Sequence, residues 1–180
     1  MRRIFLVFLV FLTICCIPQN NTCINALPFC ANGTSGLTFP AFTSTPATQA
    51  QVGPAYTCLS TQPNPSWYYL QISNSGNLDI LIQGTLTSPP TGPGQDVDFT
   101  CWGPFSSLSG ICNNLTALNT IDCSYSGSFT ETLNIPNGIS GQYYMVLITN
   151  FANVSQNIIF QQYSGTVSYT HLTLPTNREV

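Results

Sequence analysis

The sequence predicts an all-β fold: an antiparallel β-sandwich stapled by disulfides. Three observations predict it. Apolar and polar residues alternate with a period of two through several short segments, as half-buried strands require. Clusters of Gly, Pro, Asn and Ser separate those segments at short intervals, a spacing suited to sandwiches. Eight cysteines less Cys15 and Cys16, which fall in an N-terminal apolar leader, leave six, and an even count behind a leader reads as a disulfide framework.

Residues 1–19 are expected to be a secretory signal. Arg2 and Arg3 precede the apolar run IFLVFLVFLTI at 4–14, which is shorter than the roughly 20 residues needed to span a bilayer. Cleavage is open between two readings. Leu12-Thr13-Ile14-Cys15 loosely matches a lipoprotein signal that would lipidate Cys15, although an Ile before the cysteine fits that pattern poorly. Otherwise Cys15 and Cys16 leave with the leader, and no transmembrane helix remains in the mature chain.

Residues 20–166 form the predicted domain. Its first part, 22–62, is rich in Thr, Pro, Ala and Gly, so short edge strands and cysteine-anchored loops are expected there. SWYYLQIS at 66–73 is aromatic and β-branched and reads as a strand. Asn74-Ser75-Gly76 supplies a turn. In NLDILIQG at 77–84, Leu78, Ile80 and Ile82 face one way and Asn77, Asp79 and Gln83 the other. The two segments read as an antiparallel hairpin. SPPTGPGQ at 88–95 is a loop, because its prolines and glycines cannot hold a ladder. Residues 97–102 make a short strand that Gly103-Pro104 is expected to end. Residues 108–120 have helical character for one turn at most. Residues 131–135 read as a strand closed by turns at Pro136-Asn137-Gly138 and Ser140-Gly141. QYYMVLITN at 142–150 is the strongest strand, and 158–163 is the last.

Cys112 with Cys123 is the first expected disulfide, since it closes a short polar loop; Cys30 with Cys58 is the second. Cys23 and Cys101 are left without assignment. A metal-thiolate centre is not expected, because the mature part has no CxxC spacing and no histidine.

The tail VSYTHLTLPTNREV, 167–180, holds the single histidine and the only cationic residue after Arg3. Its first ten codons can be written as the reverse complement of a transposon adapter used in sequencing libraries. It is read as adapter translated in frame, so that the natural protein continues past this point and the sandwich stops short of its C-terminal strand.

Between leader and tail there is no Lys, Arg or His; the charges are Asp79, Asp96, Asp98, Asp122 and Glu131. A surface without cations cannot neutralise phosphates, so nucleic acid is excluded as a partner, and so is basic attraction to anionic lipid. A Ser-His-Asp site is excluded for want of an imidazole. The chain is therefore expected to be no enzyme, with no catalytic residues and nothing able to pass a proton near neutrality.

CINALPFC (23–30), NPSWYYLQISNSGNLDILIQG (64–84), DVDFTCWGPF (96–105) and GQYYMVLITNFAN (141–153) together resemble the N-terminal module of Bacteroidetes surface proteins with gliding-motility-associated C-terminal regions. The aromatic and Asp-x-Asp-Phe series is also similar to the bacterial pre-peptidase C-terminal domain, a jelly-roll-like β-sandwich. The resemblance implies export through the type IX secretion machinery, a secreted or cell-surface location, and further domains downstream. It implies no defined reaction.

Two sets of residues are candidate sites. Asp96 and Asp98, at i and i+2 on a strand, face the same way and could hold calcium, with carbonyls of Gly94 or Gln95 and the carboxylates of Asp122 or Glu131. Calcium needs six to eight oxygens, and solvated carboxylates at a strand end are the plainer reading. As a glycosidase dyad the pair would approach from one side only, which suits that chemistry badly. Tyr69 and Tyr143 are the candidate platforms for stacking on sugar, because alternation in WYY and YYM sends their neighbours into the core. The Asn-x-Ser/Thr sites at Asn20, Asn32, Asn114 and Asn153 are what an Asn- and Thr-rich chain holds by chance. The function expected is a non-catalytic extracellular module of a larger secreted surface protein, structural or adhesive, contacting polysaccharide or protein. The alternative is an accessory domain of an exported protease or glycosidase.

Overall fold

The computed structural model describes residues 20–29, 37–87 and 92–165. The leader, Cys15, Cys16, Cys30, Asn32 and the 167–180 tail lie outside the described residues.

Among the described residues there are nine strands: β1 (Leu27–Pro28), β2 (Leu37–Pro40), β3 (Pro65–Gln71), β4 (Gly76–Thr85), β5 (Asp98–Phe105), β6 (Thr120–Ser124), β7 (Thr130–Gly138), β8 (Tyr143–Thr149) and β9 (Asn157–Gly165). They form a five-stranded sheet, β1-β3-β8-β5-β6, and a four-stranded sheet, β2-β9-β4-β7. From β2 to β9 the orders 3-8-5-6 and 2-9-4-7 are those of an eight-stranded jelly roll. All pairings are antiparallel except β1 with β3, which is parallel, so β1 is an added edge strand.

The hairpin expected at 66–84 does not form. β3 pairs with β8, while β4 pairs with β7 and β9. The turn at 74–75 carries the chain across the sandwich instead. Both segments have an apolar face to bury, and placing them in opposite sheets turns those faces toward each other. Tyr68, Leu70 and Ile72 then meet Leu78, Ile80 and Ile82 in one core, with Phe99, Val146, Ile148, Leu133, Ile135 and Phe160. Most of these side chains are fully buried. Each is worth about 1.5–3 kcal/mol removed from water.

Two proline predictions also fail, for a shared reason. β5 runs through Gly103-Pro104 to Phe105, with a register shift between Trp102 and Phe105; a proline is tolerated at such an irregularity. β7 runs through Pro136 to Gly138, because β7 is an edge strand and its outer N–H positions need no partner. Residues 108–120 hold two short 3-10 turns, Ile111–Asn113 and Ala117–Asn119, rather than one. β6 follows directly.

The second face of the five-stranded sheet is not open to water. Trp67 and Trp102 stack there at 5.6 Å with their rings nearly parallel, both fully buried. Segments 20–26, 49–60 and 108–116 cover them through Cys23, Ala50, Leu59, Ile111 and Leu115. Two disulfides pin this cover: Cys23–Cys112 and Cys58–Cys123. The expected Cys112–Cys123 and Cys30–Cys58 pairs are thus corrected. Proximity in sequence is a poor guide here because Cys112 lies on a cover turn above Cys23, whereas Cys123 lies on β6, facing the 56–58 loop. Its sulfur sits 3.8 Å from the Tyr56 carbonyl. Cys101 is a free thiol in the sandwich core.

Candidate functional site

The stretch from Gly94 to Asp98 enters β5 at one end of the sandwich, and its path is tightly held. The backbone of Gly94 lies against that of Gly84 so closely that a Cβ on Gly94 would fall 2.1 Å from the Gly84 carbonyl carbon; only glycine fits. Gln95 is clamped on both sides by Gln156: its N–H donates to Gln156 Oε1 at 2.8 Å, and Gln156 Nε2 donates to its carbonyl at 3.2 Å. Gln156 in turn donates to Asn150 Oδ1 at 2.8 Å. Val97 plugs the core, fully buried, and its N–H donates to the Ser128 carbonyl. Asp98, the first residue of β5, and Asp96, two residues before it, flank Val97 and share a cleft.

Both carboxylates line a cleft of about 270 Å³, together with Tyr125, Ser126, Gly127 and Phe151. Tyr125 and Phe151 meet edge to face at 5.4 Å. Asp98 is only 1 % exposed. Its Oδ1 accepts the Ser126 N–H at 3.0 Å; among the described residues its Oδ2 has no hydrogen-bond partner, and neither has the buried Asp96 Oδ1. Burial of this kind disfavours the charged form. It pushes the Asp98 carboxyl up to about 7, with the neighbouring Asp96 and Glu131 charges adding and the Ser126 N–H opposing. Asp96 is raised by burial and by Glu131. The expectation that nothing in the domain titrates near neutrality is corrected at Asp98. Burial beside a second carboxylate, invisible in a sequence, is the cause.

The pair predicted from sequence is therefore brought together. The wider calcium set is not. Asp122 accepts from Cys123 N–H and Asn134 N–H at 2.8 and 2.7 Å, away from the cleft lining. Glu131 accepts from Ser124 Oγ at 2.6 Å and Ser126 Oγ at 2.5 Å. The Gln95 carbonyl is taken by Gln156. Among the described residues no group of three His, Cys, Asp or Glu is placed to hold a metal ion. Tyr125 and Phe151 were missed by the sequence reading. Each is an aromatic just past a strand end in a polar turn (SYSGS, TNFAN), which is the signal that could have found them.

Tyr69 and Tyr143 share the covered face of the five-stranded sheet: Tyr69 pairs with Met145, and Gln71 with Tyr143. Both are half-buried and pack with Phe105, which pairs with Tyr143, against the tryptophan cluster. Tyr68 and Tyr144 are buried on the core side, as alternation predicts. Tyr69 also lines a smaller pocket, about 110 Å³, with Ile24, Leu108 and Met145. The outer face of the four-stranded sheet is polar: Asp79 accepts from Asn134 Nδ2 and Ser164 Oγ, which hold its carboxyl below the usual range. Of the Asn-x-Ser/Thr positions, Asn20 is buried and Asn153 spends its amide on Ser44 and Asn64.

The fold and the cleft define a jelly-roll β-sandwich with an acid-lined pocket at one end. No known protein family and no curated protein matches the chain. Among solved structures it is similar to PliG of Aeromonas hydrophila, a periplasmic inhibitor of g-type lysozyme, at 11 % identity and a TM-score of 0.35, over 81 % of this chain and 96 % of that one. Among the described residues, no helix is long and apolar enough to cross a membrane.

Proposed function

We propose that the chain is a non-catalytic, extracellular β-sandwich module of a larger secreted surface protein, with a structural or adhesive role in contact with polysaccharide or protein. One observation carries this reading. The side chain best poised to exchange a proton, Asp98, faces a cleft with a second carboxylate beside it and two rings and a Ser-Gly turn around it. No imidazole or amine exists between residues 20 and 165 to activate the Ser126 hydroxyl. Such a cleft can hold a ligand, and among the described residues the Ser126 hydroxyl has only the weakly basic Glu131 carboxylate as its acceptor. The two disulfides support a location outside the reducing cytoplasm, and the pinned cover over Trp67 and Trp102 supports a scaffold role.

The test is to screen the chain against immobilised glycans and extracellular proteins, and in parallel against ester, glycoside and peptide substrates. Saturable binding without turnover is expected. Turnover that disappears in Asp98→Asn or Ser126→Ala would overturn the reading.

A further inference from the structure

The cleft at the start of β5 carries a more specific assignment. Two buried carboxylate oxygens, Asp98 Oδ2 and Asp96 Oδ1, have no partner among the described residues, and both aspartates line it. An unpaired buried acceptor costs free energy that a bound donor would recover. The rest of the lining is two aromatic rings and a Ser-Gly turn.

This donor set suits some cations and not others. Calcium would need six to eight oxygens, and the two aspartates leave at most three, since Asp98 Oδ1 already accepts the Ser126 N–H. A guanidinium binds best as a planar fork across both oxygens of one carboxylate. Asp98 cannot offer that fork, because its other oxygen already accepts the Ser126 N–H, and a fork on Asp96 alone would leave Asp98 Oδ2 unpaired. An ammonium is a compact charge with three rotatable donors and can reach two oxygens on different residues. Its alkyl stem is covered well by rings, whose faces also attract the charge.

We propose that this cleft binds an alkylammonium group, as borne by a lysine side chain or a small free amine, with Asp96 and Asp98 accepting its N–H bonds and Tyr125 and Phe151 flanking its stem. The assignment deepens the binding-module reading and rests on it. The two fail separately: turnover would end the module reading, whereas absence of amine binding would end only this one.

The test is calorimetric titration of the chain at about pH 8, where carboxylates are charged. The probes are n-butylammonium, Nα-acetyl-lysine methylamide, the arginine analogue and calcium chloride. Saturable one-to-one binding of both amines is expected, with the lysine amide tighter if the natural source is a polypeptide and butylammonium tighter if it is a free amine. Asp98→Asn should weaken binding by about tenfold or more, as loss of a charge-assisted bond implies. Tyr125→Leu, at a position 41 % exposed and so safe for folding, should weaken it by about threefold. Unchanged near-ultraviolet circular dichroism would show that each variant is folded. No heat with either amine, equal affinity in folded Asp98→Asn, or preference for calcium or the arginine analogue would each overturn the proposal.

Discussion

Replacing Asp98 by Asn should change how stability depends on pH, and the size of the effect can be worked from the cleft. The carboxyl has an ordinary value of 3.8 and is pushed up to about 7 in the folded chain. The folded state thus holds the proton more tightly than the unfolded state. The resulting stabilisation is full below 3.8 and is lost as pH rises through about 7. At about 1.36 kcal/mol per unit, a shift of that size corresponds to about 4 kcal/mol. Water at the mouth of the cleft, beside half-exposed Tyr125, screens part of this, so about 2 kcal/mol is the reasonable expectation. Asp96 is raised too and acts in the same direction. Asp79 is lowered; its contribution is lost only on the acid side of its ordinary range. Asparagine keeps the Oδ1 that accepts the Ser126 N–H and has no charge to desolvate. Urea unfolding should therefore show the parent chain losing about 2 kcal/mol between about pH 4 and pH 8 while Asp98→Asn loses clearly less, the remainder coming from Asp96. At the alkaline end the variant should melt about 5 °C higher, given the usual slope for a domain of this size. A constant offset between the two chains across the range, or a parent that gains stability with rising pH, would refute the assignment of a buried, proton-holding Asp98.

Three further predictions concern the scaffold. Removing the Cys58–Cys123 disulfide, which spans 65 residues, with paired serines should cost about 4 kcal/mol by loop-closure entropy, measured by urea unfolding. A loss under about 1 kcal/mol would mean that the cover over the tryptophans does not depend on it. Gly94→Ala places a Cβ into the Gly84 backbone and should cost about 3 kcal/mol or more while disturbing the Asp96 wall. A melting temperature unchanged from the parent chain would show that the loop can yield. Trp102→Ala, in the buried stack, should cost about 3–5 kcal/mol. Tyr143→Ala, half-buried at the rim, should cost clearly less by the same denaturation assay, and equal losses would place Tyr143 in the core.

The jelly roll was legible where the period of two was strong. Leu78, Ile80 and Ile82 announced a strand with one buried face, and Tyr68 beside Tyr69 announced a strand buried on both. What alternation cannot convey is which strand faces which. A hairpin and a crossover both satisfy the apolar faces of 66–73 and 77–84, and only the packing of the two sheets selects the crossover. Pro104 and Pro136 misled for a related reason: whether a proline stops a strand depends on whether its N–H side would have faced a neighbour, and that is a property of the sheet. The disulfides were unreadable because three cover segments, distant in sequence, converge over one sheet face.

The candidate site shows the same division more sharply. Spacing alone put Asp96 and Asp98 on one side of a strand; in the structure both line one cleft, Asp98 as the first residue of β5 and Asp96 just before it. Their chemistry comes from elements that spacing does not reach: a Gln156 clamp from the β8–β9 connection, a Ser126 N–H from the β6–β7 connection, and one ring from each of those connections. Jelly-roll connectivity gathers the three segments at one end of the sandwich. The neighbouring strand ends thereby turn an ordinary pair of acids into a desolvated one, in a domain with no cation of its own to answer them. A fold that buries one carboxylate and half-buries its neighbour without supplying the counter-charge bears a standing cost, and a cationic partner from outside the domain is the economical way to relieve it.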